Sequence, residues 1–331
     1  MRDSAKTKRF LVLAALAVLA LFIAGFITGA IGAKFLGREE GVLPEPHVVL
    51  PPQPIFPGDA LEHFVEWEEH PEEVEAPFGP FQFFVSNTLL SSWITTIVLL
   101  LIFVGGSLKL KMVPGRLQSL LEIVVETFVT FVEGVAGKEF GRRLFPVIAT
   151  IFLFVAFNAW MGLIPIYQSL GFIKDGHVVA HMLRPAGTDM NMPLALALCA
   201  FVFVEFLGLR HLGLHYVGKF VRVGSLKRGV SALFRGRLMD AFQGFLDFFF
   251  IGPLEGFSEF ARVISFTFRL FGNMTAGEIL VVVSAFLVSF VATVGVYALE
   301  MLVGFIQGLI FAGLTLVFAT LALTPHAEEE H

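Results

Sequence analysis

One arginine constrains what this chain can fold into. Arg269 lies within the apolar helical stretch 258–280, with Asn273 one turn later and Glu278 nine residues on. A guanidinium at membrane depth costs about 2.5–3.5 kcal/mol on insertion scales, and it cannot escape that cost by losing its proton. No acid stands three or four residues from Arg269, and Glu278 falls on roughly the opposite side of a helix. A structural salt bridge within the helix is therefore the weaker interpretation, and a functional cation is favoured.

Composition places that arginine in a membrane protein. Of 331 residues, 56% are hydrophobic and 39 are Phe, and the mean hydropathy is +0.80. Such values are typical of membrane proteins. The single cysteine, Cys199, provides neither a disulfide framework nor a Cys-based metal site. Phosphate-binding loops and hydrolase motifs are absent from the sequence, so we expect no cofactor, no metal and no catalytic residues.

The first 80 residues form two segments. Residues 1–33 have a basic start and an apolar run from Phe10, longer than the ~7–15 residues of a signal-peptide core. A retained transmembrane helix is favoured, and a cleaved signal is the alternative. Residues 34–80 are acidic and Pro-rich, which predicts an external loop. Its histidines (His47, His63 and His70) lack metal-ligand spacing and are interpreted as solvated.

The remainder, residues 81–331, reads as one membrane domain. Spans are predicted at 87–104, 144–166 and 191–209, with an amphipathic interfacial helix over 115–143. The basic loop 210–237 carries seven Lys and Arg residues, which predicts a cytoplasmic location and not a nucleic-acid surface. A second interfacial helix is predicted at 240–251, followed by a bend at Gly252 and Pro253.

Two long apolar helices complete the chain, at 254–288 and 296–323, with a turn at 289–295. At 1.5 Å per residue their lengths exceed a ~30 Å hydrocarbon core, which predicts strong tilt. The predicted fold is thus an all-α membrane protein of about six membrane helices, ending in a long tilted hairpin over 254–323. Both termini are then cytoplasmic.

The hairpin brings polar residues to equal depth. Glu278 and Glu300 are symmetric about position 289, and Arg269 and Gln307 about position 288. A single turn therefore levels both pairs, which favours a polar pathway over scattered core hydrogen bonds. Two carboxylates at one depth in a low-dielectric channel should titrate as a coupled pair.

These residues carry a family resemblance. RLFGNMTAGE at 269–278 resembles the signature of subunit a of F-type ATP synthases, and Gln307 in GFIQGLIF resembles the glutamine of that family's partner helix. Further similarities cover 253–258, 188–191 and 162–165, and the resemblance extends from about Asn87 to the C-terminus. Some bacterial members carry His at the position of Glu300, which leaves open which glutamate is the main relay. Asn158 stands one residue from its expected position.

The resemblance implies a proton-translocating stator subunit that does no ATP chemistry itself. Arg269 would face the carboxylates of a rotating c-ring, between two offset half-channels, with Asn273 and Gln307 beside it. Residues implied in the external half-channel are Glu278, Glu300, Asp189 and Asn191, and those nearer the cytoplasmic opening are Glu255 and Ser258. Implied partners are the c-ring, peripheral stalk subunit b, the soluble ATPase head indirectly, membrane lipid and protons. The implied location is the bacterial plasma membrane.

Two other functions are compatible with an intramembrane arginine. A secondary transporter could use Arg269 to bind an anionic substrate near the midplane. That function predicts internal repeats and helices broken at mid-membrane, and neither is visible in the sequence. A purely structural membrane scaffold is disfavoured by the levelled polar pairs.

Overall fold

The computed structural model describes residues 2–38, 51–69, 83–108, 110–174, 177–213, 216, 218, 220, 223–288 and 290–323. Several predicted features lie outside the described residues, including His47, His70, the C-terminal tail and most acids of the 34–80 loop. Described helices and strands follow one another as α1 (Arg2–Thr28), α2 (Ala30–Phe35), β1 (Pro54–Phe56), α3 (Gly58–Glu69), β2 (Val85–Ser86), α4 (Asn87–Ser107), α5 (Arg116–Gly162), α6 (Ile166–Ser169), β3 (Gly171–Lys174), β4 (His177–His181), α7 (Asn191–Leu212), α8 (Val223–Phe234), α9 (Leu238–Leu246), α10 (Gly252–Leu287) and α11 (Val291–Leu323).

The predicted all-α membrane fold is confirmed. Within the described residues, six helical stretches are long and apolar enough to cross a membrane. They are α1, α4, α5, α7, the continuous stretch Leu238–Leu287 and α11. The strands form only two small antiparallel pairs, β1 with β2 and β3 with β4.

Helix α5 combines the predicted interfacial helix with the third span. It has one non-helical residue, Gly137, at φ 75° and ψ 165°, a conformation that glycine adopts at little cost. The bend folds the chain back on itself, so a Cβ on Gly141 would lie 2.9 Å from Cα of Glu133. Arg142 donates to the Glu133 carboxylate at 3.0 Å across the same bend. The bend therefore lies at Gly137, inside the predicted interfacial helix and not at its predicted end at residue 143.

Gly252 and Pro253 do not end a helix, although separate helices were predicted on either side of them. The chain stays helical from α9 into α10 through a π-helical turn, Asp247–Ile251. Proline lacks an N–H, and a widened turn just before it lets the helix accommodate the missing hydrogen bond. The interfacial segment and the long helix are consequently one 50-residue helical stretch, Leu238–Leu287.

The hairpin turn is also shorter than predicted. Helix α10 ends at Leu287 and α11 begins at Val291, so residues 291–295 are helical and not part of the turn. Gly295 suggested a turn, but one glycine costs a helix only about 1 kcal/mol. Phe290 reverses the chain, with a left-handed φ of 64°.

The described chain forms two compact units. The first comprises Met1–Thr96, Val155–Asp189 and Phe271–Gln307, and it contains most of the buried polar side chains. Asn87, Ser91 and Thr95 are all 0–1% exposed there. Close packing also joins the link between α1 and α2 to the hairpin, because a Cβ on Gly29 would overlap the carbonyl of Leu287. Buried polar groups need hydrogen-bond partners, so this unit is where a polar pathway is to be sought.

The second unit comprises Ile97–Phe154, Met190–Leu270 and Gly308–His331. Its core is mainly apolar, with Leu144, Ile148 and Leu316 at most 1% exposed. The Phe266 and Phe311 ring centroids lie 4.9 Å apart. Such packing provides a rigid support for the polar residues that the second unit carries on α10.

Candidate functional site

The hairpin aligns polar residues of α10 and α11 within the first unit. Asn273 Nδ2 donates to Gln307 Oε1 at 2.7 Å. One turn closer to the loop, the Glu300 carboxylate lies directly against Gly277, the residue before Glu278. Both contacts join residues nearly symmetric about the turn, so Glu278 and Glu300 occupy the same level of the hairpin.

A basic partner for Glu278 comes from an unexpected position. Arg184, 7% exposed, forms an ion pair with Glu278 at 2.7 Å between Nη2 and Oε2. Its Nε also donates to Oε1 at 3.1 Å and to Oε2 at 3.0 Å. The sequence predicts coupling between Glu278 and Glu300, whereas the structure pairs Glu278 with an arginine 94 residues away. A charge-assisted pair of this geometry fixes the carboxylate firmly.

Asp189 and Asn158 hold the segment that follows Arg184. Thr88 Oγ1 donates to Asp189 Oδ2 at 2.9 Å. Asn158 Oδ1 accepts from the backbone N–H of Ala186 at 3.2 Å. Both residues therefore anchor the short stretch between β4 and α7, and Asp189 is 8% exposed.

Gln53, which precedes α4, and Asn87, the first residue of α4, form a second polar cluster in the same unit. Gln53 and Asn87 are 4% and 0% exposed. Gln53 Oε1 accepts from the backbone N–H of His181 at 2.9 Å and from Asn87 Nδ2 at 3.4 Å. Asn87 Nδ2 also donates to the carbonyl of His181 at 3.1 Å. The end of β4 is thus clamped by two buried amides, and sequence analysis assigned neither a role.

His181 joins this cluster to the ion pair electrostatically. Partial burial lowers the pKa of His181 below its usual range, the Glu278 carboxylate opposes that shift, and the Arg184 guanidinium adds to it. A histidine with a lowered pKa is neutral at pH 7. The charged groups that act on His181 are Glu278 and Arg184.

Arg269 lies in the second unit, half-buried on α10. Across the described part of the chain it makes no hydrogen bond or ion pair. Arg262, two turns earlier, differs: its Nη1 pairs with Glu259 Oε2 at 2.6 Å, and its guanidinium lies 3.5 Å from the centroid of the Phe318 ring. Arg262 is thus paired within the chain, and Arg269 has no such partner among the described residues.

The other predicted residues of the second unit lie at or near the surface of the chain. Asn191 begins α7 and is exposed, Ser258 is exposed on α10, and Glu255 is half-buried one turn before Ser258. Sequence analysis missed Glu259, which is 4% exposed. Its spacing of three residues from Arg262 was the available signal, since such pairs lie on one helix face.

Tyr216 marks the end of the fourth span in the same unit. Its hydroxyl donates to Glu205 Oε1 at 3.2 Å. Burial raises the pKa of Tyr216 well above its usual range, and the Glu205 charge adds to the shift. Tyr216 is therefore a neutral hydrogen-bond donor at physiological pH, which suits a structural role.

Gly277 offers a direct test of the hairpin geometry. We expect Gly277→Ala to slow passive proton flux about 10- to 100-fold, because the new Cβ would displace the Glu300 carboxylate and small displacements of a reacting group cost rates of that order. The matched control is Gly272→Ala on the same helix, where a Cβ meets nothing within 4 Å. Equal flux through the two variants in reconstituted vesicles would contradict this placement of Glu300.

Comparisons with known proteins agree with the resemblance seen in the sequence. ATP synthase subunit a of Rhodobacter capsulatus is 34% identical over 263 residues, covering 74% of this chain and 95% of the relative. Subunit a of Desulfosudis oleivorans is 29% identical over 231 residues, covering 70% and 85%. Subunit a of Gloeobacter violaceus is 27% identical over 274 residues, covering 83% and 94%.

The family model described as ATP synthase A chain matches residues 89–320. That stretch includes α10, all but the last three residues of α11, and every residue proposed from sequence for proton transfer, whereas Gln53 and Asn87 precede it. The match covers well over half of the chain and confirms the predicted family. The chain belongs to the ATP synthase A chain family.

Proposed function

We propose that the polar residues of the hairpin and of the segment before α7 carry protons between two half-channels and the carboxylates of a c-ring. The chain is the proton-translocating, non-catalytic subunit a of an F-type ATP synthase and part of that complex. The proposal concerns which residues of the chain transfer the protons. The observation that carries it is the alignment of Glu300 with Gly277 and of Asn273 with Gln307.

The external half-channel is assigned to the first unit. Glu278 and Glu300 lie at one level of the hairpin. Asp189 is buried, and it follows Arg184 by five residues in the sequence. Carboxylates within the membrane segments of a protein mark proton pathways. Asn191, the first residue of α7, is assigned to the same half-channel.

Arg269 is assigned to the surface that faces the rotor. Its guanidinium has no ion partner among the described residues, so a carboxylate from another subunit supplies the missing charge. Attraction to the ionised rotor carboxylate would favour proton release there. Because arginine keeps its proton, it would also block direct proton transfer between the half-channels. Glu255 and Ser258, earlier on α10, are assigned to the cytoplasmic opening.

Partners and location follow from the same proposal. Arg269 would face the c-ring, peripheral stalk subunit b would hold the subunit as a stator, and the soluble ATPase head would connect indirectly. The proposed location is the bacterial plasma membrane, with the C-terminus in the cytoplasm. A secondary transporter gains no support from the comparisons.

Co-purification tests the assignment of partners. Mild detergent extraction at native expression level should yield this chain together with an oligomeric ring of small subunits and a soluble ATPase. The physical reason is that the stator must stay in contact with the rotor for coupling. Isolation of the chain alone under conditions that preserve other respiratory complexes would contradict the proposed partners.

Membrane topology is tested separately. The contacts of Gln53 with Asn87 and His181 join segments that loop charges assign to the outside. We therefore expect Glu62→Cys to react with an impermeant thiol reagent only from outside, and Arg235→Cys only from the cytoplasm. Both residues are exposed, and Cys199→Ser provides the background. External labelling at position 235 would overturn the topology.

A further inference from the structure

We propose that residues 51–56, which precede the family-matched stretch, are a working part of the external half-channel, with Gln53 positioning Arg184 on Glu278. The proposal rests on the proton-transfer function proposed above. It assigns a positioning role to a segment for which loop composition alone predicted only an acidic external connection.

The first step is the attachment of the segment. β1 (Pro54–Phe56) pairs antiparallel with β2 just before α4. The backbone N–H of Asn87 donates to the carbonyl of Gln53 at 3.0 Å, and Gln53 N donates to Asn87 Oδ1 at 3.3 Å. Gln53 and Asn87 are thus joined through both backbone and side chains. Two buried amides that satisfy each other make a rigid anchor.

The second step connects that anchor to Arg184. Gln53 Oε1 holds the backbone N–H of His181 at 2.9 Å. Three residues on, the backbone N–H of Arg184 donates to Ser91 Oγ at 3.1 Å, and Ser91 in turn donates to the carbonyl of Asn87. The backbone on either side of the turn into Arg184 is therefore held by Gln53 and by the start of α4.

The third step is the placement of the Arg184 charge, which this backbone determines. The Arg184 side chain leaves the clamped segment and places its Nε and Nη2 on the Glu278 carboxylate. The carbonyl of Pro51 lies 3.5 Å from Nη1, on the other side of the guanidinium. Charged or titratable groups facing Glu278 are then Arg184 and His181 from the clamped segment and Glu300 from α11.

This geometry gives Glu278 and Glu300 different roles. Arg184 holds the Glu278 carboxylate in place, since its two oxygens accept three hydrogen bonds from one guanidinium. Glu300 has no ion pair among the described residues and lies against Gly277, so its carboxyl is the group that gains and loses the transported proton. Gln53 acts on this exchange through Arg184 and touches neither glutamate.

The test compares proton flux against pH in vesicles that contain the whole complex. Arg184→Gln should move the acidic limb of the profile to higher pH by about one unit or more, because it removes the positive charge from the level that Glu278 and Glu300 share, and a nearby opposite charge alters proton binding by about that amount. Gln53→Ala should move it in the same direction by less. The double variant should match Arg184→Gln alone, since Gln53 works through that arginine. Arg184→Lys, which keeps the charge without the fork, should restore part of the shift.

Matched controls are Arg235→Gln and Gln243→Ala, both exposed residues of the cytoplasmic segment, and neither should shift the profile. An unchanged profile for Gln53→Ala, or a Gln53→Ala effect that persists on top of Arg184→Gln, would overturn the inference. Either result leaves the proton-transfer function standing, because that function is tested by Arg269.

A crosslink covers the case in which Gln53→Ala does not assemble. Pro54 and Ser86 are register partners in the β1–β2 pair. On a Cys199→Ser background, Pro54→Cys with Ser86→Cys should form a disulfide in the complete complex and keep proton flux when oxidised. Failure to crosslink, or loss of flux on oxidation that reduction restores, would show that the segment is not held there during transport.

Discussion

Arg269→Ala is expected to reduce ATP-driven proton pumping to the background of uncoupled vesicles, while the complex still assembles. The reason for the loss is that no other cation of the described chain is unpaired on this face of α10, since Arg262 already pairs with Glu259. The reason for assembly is that Arg269 has no ion partner among the described residues, so its removal strands no buried charge. Pumping is measured by fluorescence quenching of a pH-sensitive dye.

Arg269→Lys should restore pumping poorly. Lysine keeps a positive charge, but it is a compact point charge that can lose its proton when buried, whereas arginine cannot. Arg235→Gln, which removes an exposed cation of the basic loop, controls for the change in total charge. Normal pumping by Arg269→Ala would rule out the proposed role.

Glu278→Gln is expected to lower both proton flux and the stability of the complex. Arg184 is 7% exposed in its side chain, so Glu278→Gln takes the carboxylate of this ion pair away from a buried guanidinium. Breaking a buried pair in this way costs about 3–5 kcal/mol. Glu300→Gln should slow flux without a comparable loss of stability, because Glu300 has no ion partner in the described residues. Thermal melting and passive flux, measured on the same preparations, separate the two effects.

The double variant Arg184→Gln with Glu278→Gln is the internal control for that comparison. Removing both charges should recover much of the stability lost in Glu278→Gln, although flux should stay low. If Glu278→Gln melts like the unmodified complex, or if Glu300→Gln is equally destabilised, the ion pair described above does not exist in the membrane.

Sequence patterns predicted the hairpin because the features that define it, two apolar runs and the turn between them, are adjacent in the chain. The apolar runs of α10 and α11 are long, and symmetry about one turn was enough to level Glu278 with Glu300. Family resemblance then gave Arg269, Asn273 and Gln307 their roles as expectations. The helix ends were less predictable, because Pro253 and Gly295 are both ordinary turn signals. The chain instead stays helical up to Pro253 through a π-helical turn. It reverses at Phe290, which has a left-handed φ, and not at Gly295.

The ion pair of Glu278 could not be predicted in the same way. Arg184 is 94 residues from Glu278 in the chain, and its loop offered several other charged residues. Gln53 carried still less signal, because an uncharged amide in an acidic Pro-rich loop looks solvated. Only the fold shows that Gln53 and Asn87 are buried together, and this burial is the reason for assigning a positioning role to the 51–56 segment.

A density map of the assembled complex tests the central claim most directly. The account predicts that Arg269 faces a carboxylate of the c-ring, and that Glu278 and Glu300 lie at one level on the external side of that contact, with Arg184 on Glu278. A map in which Arg269 points into lipid, or pairs with an acid of its own chain, would contradict it.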